Sequence, residues 1–239
     1  MYNYIFGKKK EILNQPKNFL IFIKRLLPKY ANSLPDSGAI TLLEMVKKLG
    51  NRKSSIIETG VGASTISLFL AAYLYNKKLY SFDHNPDKIS LLRTVINESI
   101  CTPLNIKSSD YWTPIPSNSV DMYTGINCLS EFRENFNFGF FDSAHSLKFL
   151  LEEVSSFYKI ANKNFILGID DGEKINNRDF HFDFVNMIRT KMNLKKIKNP
   201  KSNECNYFYK EINTFLNKNS TKVTKLKTFF ENNLENDLY

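Results

Sequence analysis

Short, continuously apolar runs alternate along this chain with longer stretches whose apolar residues recur every three to four positions. Runs of the first kind lie at about 55–59 and 78–83, at Leu104-Asn105-Ile106, at Phe138–Asp142 and at Phe165–Ile169. Their length and lack of polar alternation predict strands buried on both faces. Between them, helices are predicted through Leu42, Leu43, Met45, Val46 and Leu49, over about 64–76, and through Ile89, Leu92, Val95 and Ile96. Two more follow, through Leu147, Leu150, Leu151, Val154 and Phe157, and from about 179 to 192. Asp36 or Ser37 is the predicted cap of the first of these helices, and Gly50 its stop. Asn85-Pro86 pairs a good N-cap with a proline at the first helical position. Final strands near 194–198 and 206–211 complete the pattern. Residues 111–137 hold the only tryptophan, Trp112, and two prolines; there Val120–Tyr123 fits either a strand or an insertion.

This alternation predicts an α/β fold: a doubly wound, mostly parallel seven-stranded sheet with an antiparallel C-terminal edge pair and an N-terminal helical appendage. The appendage or lid is 1–37, the main domain 38–212, and 213–239 a polar, helical tail. The most hydrophobic N-terminal stretch, Phe19–Leu27, is broken by Lys24 and Arg25 and stopped by Pro28. It is too short for a membrane span and lacks a signal-peptide cleavage pattern, so the expectation is a helix packed on the domain and a cytoplasmic protein. The same apolar helix is a candidate homodimer contact.

Composition changes this picture little. With 239 residues and 42% hydrophobic content, the chain can build one full core. Three scattered cysteines, Cys101, Cys128 and Cys205, form no metal-type spacing and suit a reducing compartment. The net charge of +9 comes largely from lysines at 8–10, 195–201 and 222–227. No aromatic-and-arginine recognition motif accompanies them, so nucleic acid is not the expected substrate. Acidic or nucleotide-linked metabolites are equally attracted to such a surface.

The chemistry concentrates at the strand ends. The first strand ends in Glu58, followed by Thr59-Gly60-Val61-Gly62-Ala63-Ser64-Thr65 and a helix. Glycines at a strand-to-helix turn permit tight bending and close ligand approach, and the helix start favours anionic groups. The second strand ends in Asp83, placed to accept hydrogen bonds from ribose hydroxyls, with His84 beside it. A dinucleotide fingerprint wants a third glycine where Thr65 stands, which weakens a nicotinamide reading. Glu58 also suits a ligand carrying an ammonium group.

Over roughly residues 38–210 these features resemble the class I S-adenosylmethionine-dependent methyltransferases, with Glu58, Gly60, Gly62, Ser64 and Thr65 standing as their first motif and Asp83 as their ribose-binding acid. The resemblance implies S-adenosylmethionine as cofactor, with Asp110 contacting the adenine amino group. Asp142, Asp170 and Asp171, after the fourth and fifth strands, resemble the Mg²⁺ ligands of metal-dependent O-methyltransferases of the catechol and macrolide- or coumarin-sugar types. In the catechol type the offset of His145 carries the general base, which implies His145 in that role and Asp142 beside it. Several sugar enzymes have a second acid where this chain has Ala144. The implied function is Mg²⁺-assisted methyl transfer to a hydroxyl of a small-molecule acceptor. A metal-free N- or O-methyltransferase and a non-catalytic nucleoside-binding module are the alternatives.

Overall fold

The computed structural model describes residues 13–50, 53–132, 134–144, 147–170 and 190. The chain divides into two units, 1–170 and 171–239; the second holds one described residue, Thr190, and the first is described below.

Helix α1 (Pro16–Lys24) begins with its proline in the first turn, where no N–H is needed. Its apolar face is Phe19, Leu20 and Ile23, none exposed at all, and it joins the same core as Ile56 and Phe69. Lys24 is buried beside it and donates to Asp36 Oδ1 at 2.8 Å. An unpartnered ammonium there would carry a large desolvation cost. The bond to Lys24 holds the Asp36 carboxyl below its ordinary range. Asp36 therefore opens α2 (Asp36–Lys48) without capping it: the N-cap position is Pro35, which makes no side-chain cap bond. Gly50, with φ +67°, follows the end of α2 as predicted.

The sheet begins with β1 (Ser54–Thr59), every residue of which is buried. Helix α3 (Ala63–Leu74) follows and is buried over most of its circumference, as a helix packed between layers requires. After β2 (Lys77–Phe82), Asn85 caps α4 (Pro86–Ile96) as expected, its side chain accepting from the Asp87 and Lys88 N–H groups. The remaining elements are β3 (Trp112–Ile115), β4 (Phe136–Phe141), α5 (Leu147–Ile160) and β5 (Ala161–Ile169). The strand order is β3-β2-β1-β4-β5 and every pairing is parallel. The order reverses between β1 and β4, which opens a crevice at their C-terminal ends.

One expectation needs correction. Leu104–Ile106 is not the third strand: Thr102–Leu104 is a helical turn and Asn105 is left-handed, with φ 54°. The third strand is Trp112–Ile115. Val120–Tyr123 forms turns organised by Asp121, whose carboxylate accepts from the Tyr123 and Thr124 N–H groups. The described sheet has five strands. The expected antiparallel edge pair, the helix from about 179 and the tail from 213 lie outside the described residues. Among the described residues no helix is long and apolar enough to cross a membrane.

Candidate functional site

At the C-terminal ends of β1, β2 and β4 the glycine turn forms one wall of an open cleft. Gly60 has φ +82°, and a Cβ there would lie 1.8 Å from the Asp142 carbonyl oxygen. Only glycine satisfies both the backbone angle and that approach. Asp83, whose side chain is 5% exposed, reaches back over the turn. Its Oδ2 accepts from the Val61 N–H at 2.9 Å and its Oδ1 from the Asn85 N–H at 2.8 Å. Lys88 Nζ stands 3.5 Å from Oδ2. The cleft is lined by Tyr30, Gly60, Gly62, Ser64, Lys88 and Asp142 among others, and its cavity volume is about 130 Å³. That is smaller than the roughly 300–1,000 Å³ of most small-ligand sites.

Glu58 does not line the cleft. It is wholly buried at the end of β1 and caged by hydroxyls. Ser64 Oγ donates to its Oε1 at 2.6 Å, while Thr65 Oγ1 at 2.9 Å and Ser81 Oγ at 2.7 Å donate to Oε2. Burial pushes its carboxyl up to about 7, against the pull of these hydrogen bonds, and the charge of Asp83 adds to the rise. Thr65 also accepts from the Gly62 N–H, closing the helix start, and Ser81 accepts from Trp112 Nε1. Of the expected first-motif residues, Glu58, Gly62, Ser64 and Thr65 are thus one connected network, which meets the cleft at Ser64 and Gly62.

The other predicted residues divide. His84 is beside Asp83, its Nδ1 3.7 Å from Oδ1, yet its side chain is 88% exposed and it does not line the cleft. Asp110 is not brought to the site. It is exposed in the turn Ser108–Tyr111 before β3, level with the start of β2, where Lys78 Nζ donates to the Ser109 carbonyl. Moving the third strand from 104–106 to 112–115 carries Asp110 to the opposite edge of the sheet. Asp142 and Asp170 each follow a register pair, Phe141 with Ile169, so they stand at neighbouring strand ends. His145 and Asp171 lie outside the described residues. Among the described residues no group of three or more His, Cys, Asp or Glu side chains gathers to hold a metal ion.

One buried acid escaped the sequence reading. Glu153, on α5, is 1% exposed and accepts from Ser119 Oγ at 2.5 Å and from Ser143 Oγ at 2.6 Å. Burial pushes its carboxyl above the ordinary range, while Ser119, Ser143 and the nearby Thr59 hydroxyl pull it down. The Thr59 hydroxyl makes no well-formed hydrogen bond of its own among the described residues. Glu153 ties the loop after β3 to the loop after β4, whose Asp142 carbonyl packs on Gly60. Its position on an amphipathic helix beside exposed Glu152 gave no sign of this.

No protein-family model matches the chain, and no curated protein sequence does. Solved structures do. The SAH-bound methyltransferase PaMTH1 of Podospora anserina matches 84% of this chain and 77% of its own, with a TM-score of 0.53 and 12% sequence identity. Precorrin-6y C5,15-methyltransferase of Geobacter metallireducens GS-15 matches 65% of this chain and 73% of its own, with a TM-score of 0.44 and 12% identity. The first likeness extends over most of both chains. The chain therefore shares the mostly parallel, Rossmann-like α/β fold of PaMTH1.

Proposed function

We propose that this protein is an S-adenosylmethionine-dependent methyltransferase acting on a hydroxyl of a small molecule. One observation carries the reading: Asp83, from the end of β2, accepts from the N–H of Val61, a residue of the glycine turn that lines the cleft at the switch point of the sheet. A carboxylate has about four acceptor sites. A ribose diol entering the cleft would share Asp83 with Val61 and Asn85, or displace the Val61 bond. Gly60 and Gly62 keep the turn free of side chains that would obstruct the donor. The first turn of α3 offers N–H groups to its polar end.

The chemistry asked of such a site is modest. A lone pair of the acceptor oxygen forms the new bond to the methyl carbon as the carbon–sulfur bond breaks, its electrons staying on sulfur. The hydroxyl proton leaves to a base. Because the sulfonium is already activated, most of the acceleration comes from holding oxygen, carbon and sulfur in line. His145 is the base that the sequence resemblance implies. Asp142 and Asp170, side by side at the ends of β4 and β5, are the hard oxygen ligands that would hold a divalent cation, with Asp171 next in sequence. When bound, Mg²⁺ lowers the pKa of an acceptor hydroxyl.

The test is incubation of the protein with methyl-labelled S-adenosylmethionine and a metabolite extract, with Mg²⁺ or with EDTA. Label in a small molecule supports the proposal, and loss of transfer in EDTA supports the metal-assisted form. Label transferred equally in EDTA would move the reading to a metal-free N- or O-methyltransferase. Donor binding without any transfer would leave a nucleoside-binding module. Asp142→Ala is expected to abolish turnover and retain donor affinity within about threefold, since its role lies in the transition state.

A further inference from the structure

Ser64 is the residue that touches both the cleft and the buried acid behind it. The three hydroxyls around Glu58 are not equivalent. Thr65 Oγ1 takes the Gly62 N–H and Ser81 Oγ takes the Trp112 Nε1–H, so each is oriented to give its own hydrogen to Oε2. Oε2 thus has two donors. Oε1 faces Ser64 alone, and no N–H orients Ser64 from behind among the described residues.

A hydroxyl has a single hydrogen. When Glu58 is ionised, Ser64 must give that hydrogen to Oε1, and the cleft meets only oxygen lone pairs. When Oε1 carries a proton, the bond reverses: Glu58 donates to Ser64 Oγ, and the Ser64 hydrogen is free to turn into the cleft. The helix start beside Ser64 favours an anion, while Asp142 brings a carboxylate to the same lining. Ser64 is in the first turn of a twelve-residue helix, and Lys88 is the cation among the cleft residues. A neutral Glu58 agrees with that field, and its complete burial favours the neutral form.

We propose that Ser64 is the specificity residue for a carboxylate on the ligand, and that Glu58 sets it to donate by holding a proton on Oε1. This rests on the reading above, in which the ligand is the sulfonium donor and the carboxylate is that of its amino-acid tail. Binding then takes up a proton from solvent wherever Glu58 is ionised in the free protein. The carboxyl pushed up to about 7 places that uptake near neutrality. The other charged groups are accounted for. On β2, Asp83 acts on Glu58 through space, with His84 beyond it; α4 contributes Lys88, which stands against Asp83. On β4 the register partner of Glu58 is Phe140, with Asp142 at the strand end. α3 and β3 present only Ser64, Thr65 and Trp112 to this network.

Calorimetry on the full chain tests this with two probes. S-adenosylhomocysteine carries the carboxylate, and 5′-methylthioadenosine lacks the amino-acid tail. Between pH 6 and pH 8.5 the affinity for S-adenosylhomocysteine should fall about tenfold, while that for 5′-methylthioadenosine stays flat. Glu58→Gln, whose amide N–H donates permanently towards Ser64, should hold S-adenosylhomocysteine at the wild-type low-pH affinity throughout. Ser64→Ala should weaken S-adenosylhomocysteine about tenfold at pH 6, lose the pH dependence, and leave 5′-methylthioadenosine within about twofold. Ser64→Ala decides the matter alone if Glu58→Gln does not fold. Equal weakening of both probes by Ser64→Ala, or an unchanged pH profile in either variant, overturns the proposal and leaves the nucleoside site standing. If the wild-type protein binds neither probe at pH 6, the proposed function falls and this inference with it.

Discussion

Two buried carboxylates flank the glycine turn, and they are held in opposite ways. Glu58 is fixed by hydroxyls from regular elements: Ser64 and Thr65 in the first turn of α3, and Ser81 within β2. Glu153 is fixed by hydroxyls from two loops, Ser119 after β3 and Ser143 after β4. The first cage is rigid because its frame is the sheet. The second is what makes its surroundings rigid, since without Glu153 those loops lose a common anchor. Identical chemistry thus serves a wall in one place and a clamp in the other.

Gly60 joins the two and offers the hardest test of the comparison. Gly60→Ala combines a positive φ with a backbone clash against Asp142. It should cost more than about 3 kcal/mol in urea unfolding and should abolish nucleoside binding. A mild effect would mean that turn and clamp are independent.

Glu153→Ala comes next. It strands two hydroxyls and leaves a void, so about 3 kcal/mol should be lost. Glu153→Gln should cost about 1 kcal/mol, because an amide oxygen still accepts from one serine. Equal losses for Ala and Gln would argue against the clamp.

Glu58 should differ from Glu153 less in size than in its pH signature. Its carboxyl is raised from 4.5 to about 7 in the folded protein, so the folded state binds the extra proton between those values. That contribution is complete below pH 4.5 and is lost as pH rises through 7. The stability of wild type relative to Glu58→Gln should therefore fall by about 3 kcal/mol across this window. Chemical denaturation of both proteins at several pH values measures the difference; a constant difference would mean Glu58 is ionised throughout. The smallest effect belongs to His84. With its side chain 88% exposed, His84→Ala should shift S-adenosylhomocysteine affinity less than about twofold.

The sequence made the half of the fold around β1 and β2 readable because each signal there was local. Asn85-Pro86 caps its helix, the glycines punctuate the turn, and β1 and β2 are unbroken apolar runs. The third strand was misread for an equally local reason. Leu104-Asn105-Ile106 has strand composition, but Asn105 adopts the left-handed conformation that ends a helical turn. The true strand, Trp112-Thr113-Pro114-Ile115, contains a proline that argues against a strand. Its place on the edge of the described sheet tolerates the missing N–H. The error moved Asp110 into the imagined site. Glu153 was illegible for the opposite reason: its partners are 34 and 10 residues away, on loops with no periodic pattern.

The buried bond between Lys24 and Asp36 has a practical corollary. It fastens the first helix to the second where Phe19, Leu20 and Ile23 are already interior. A shortened version starting at residue 38 would not shed a loose extension; it would uncover an oily flank and should precipitate or recruit chaperones. Anyone seeking a minimal folded fragment should trim elsewhere.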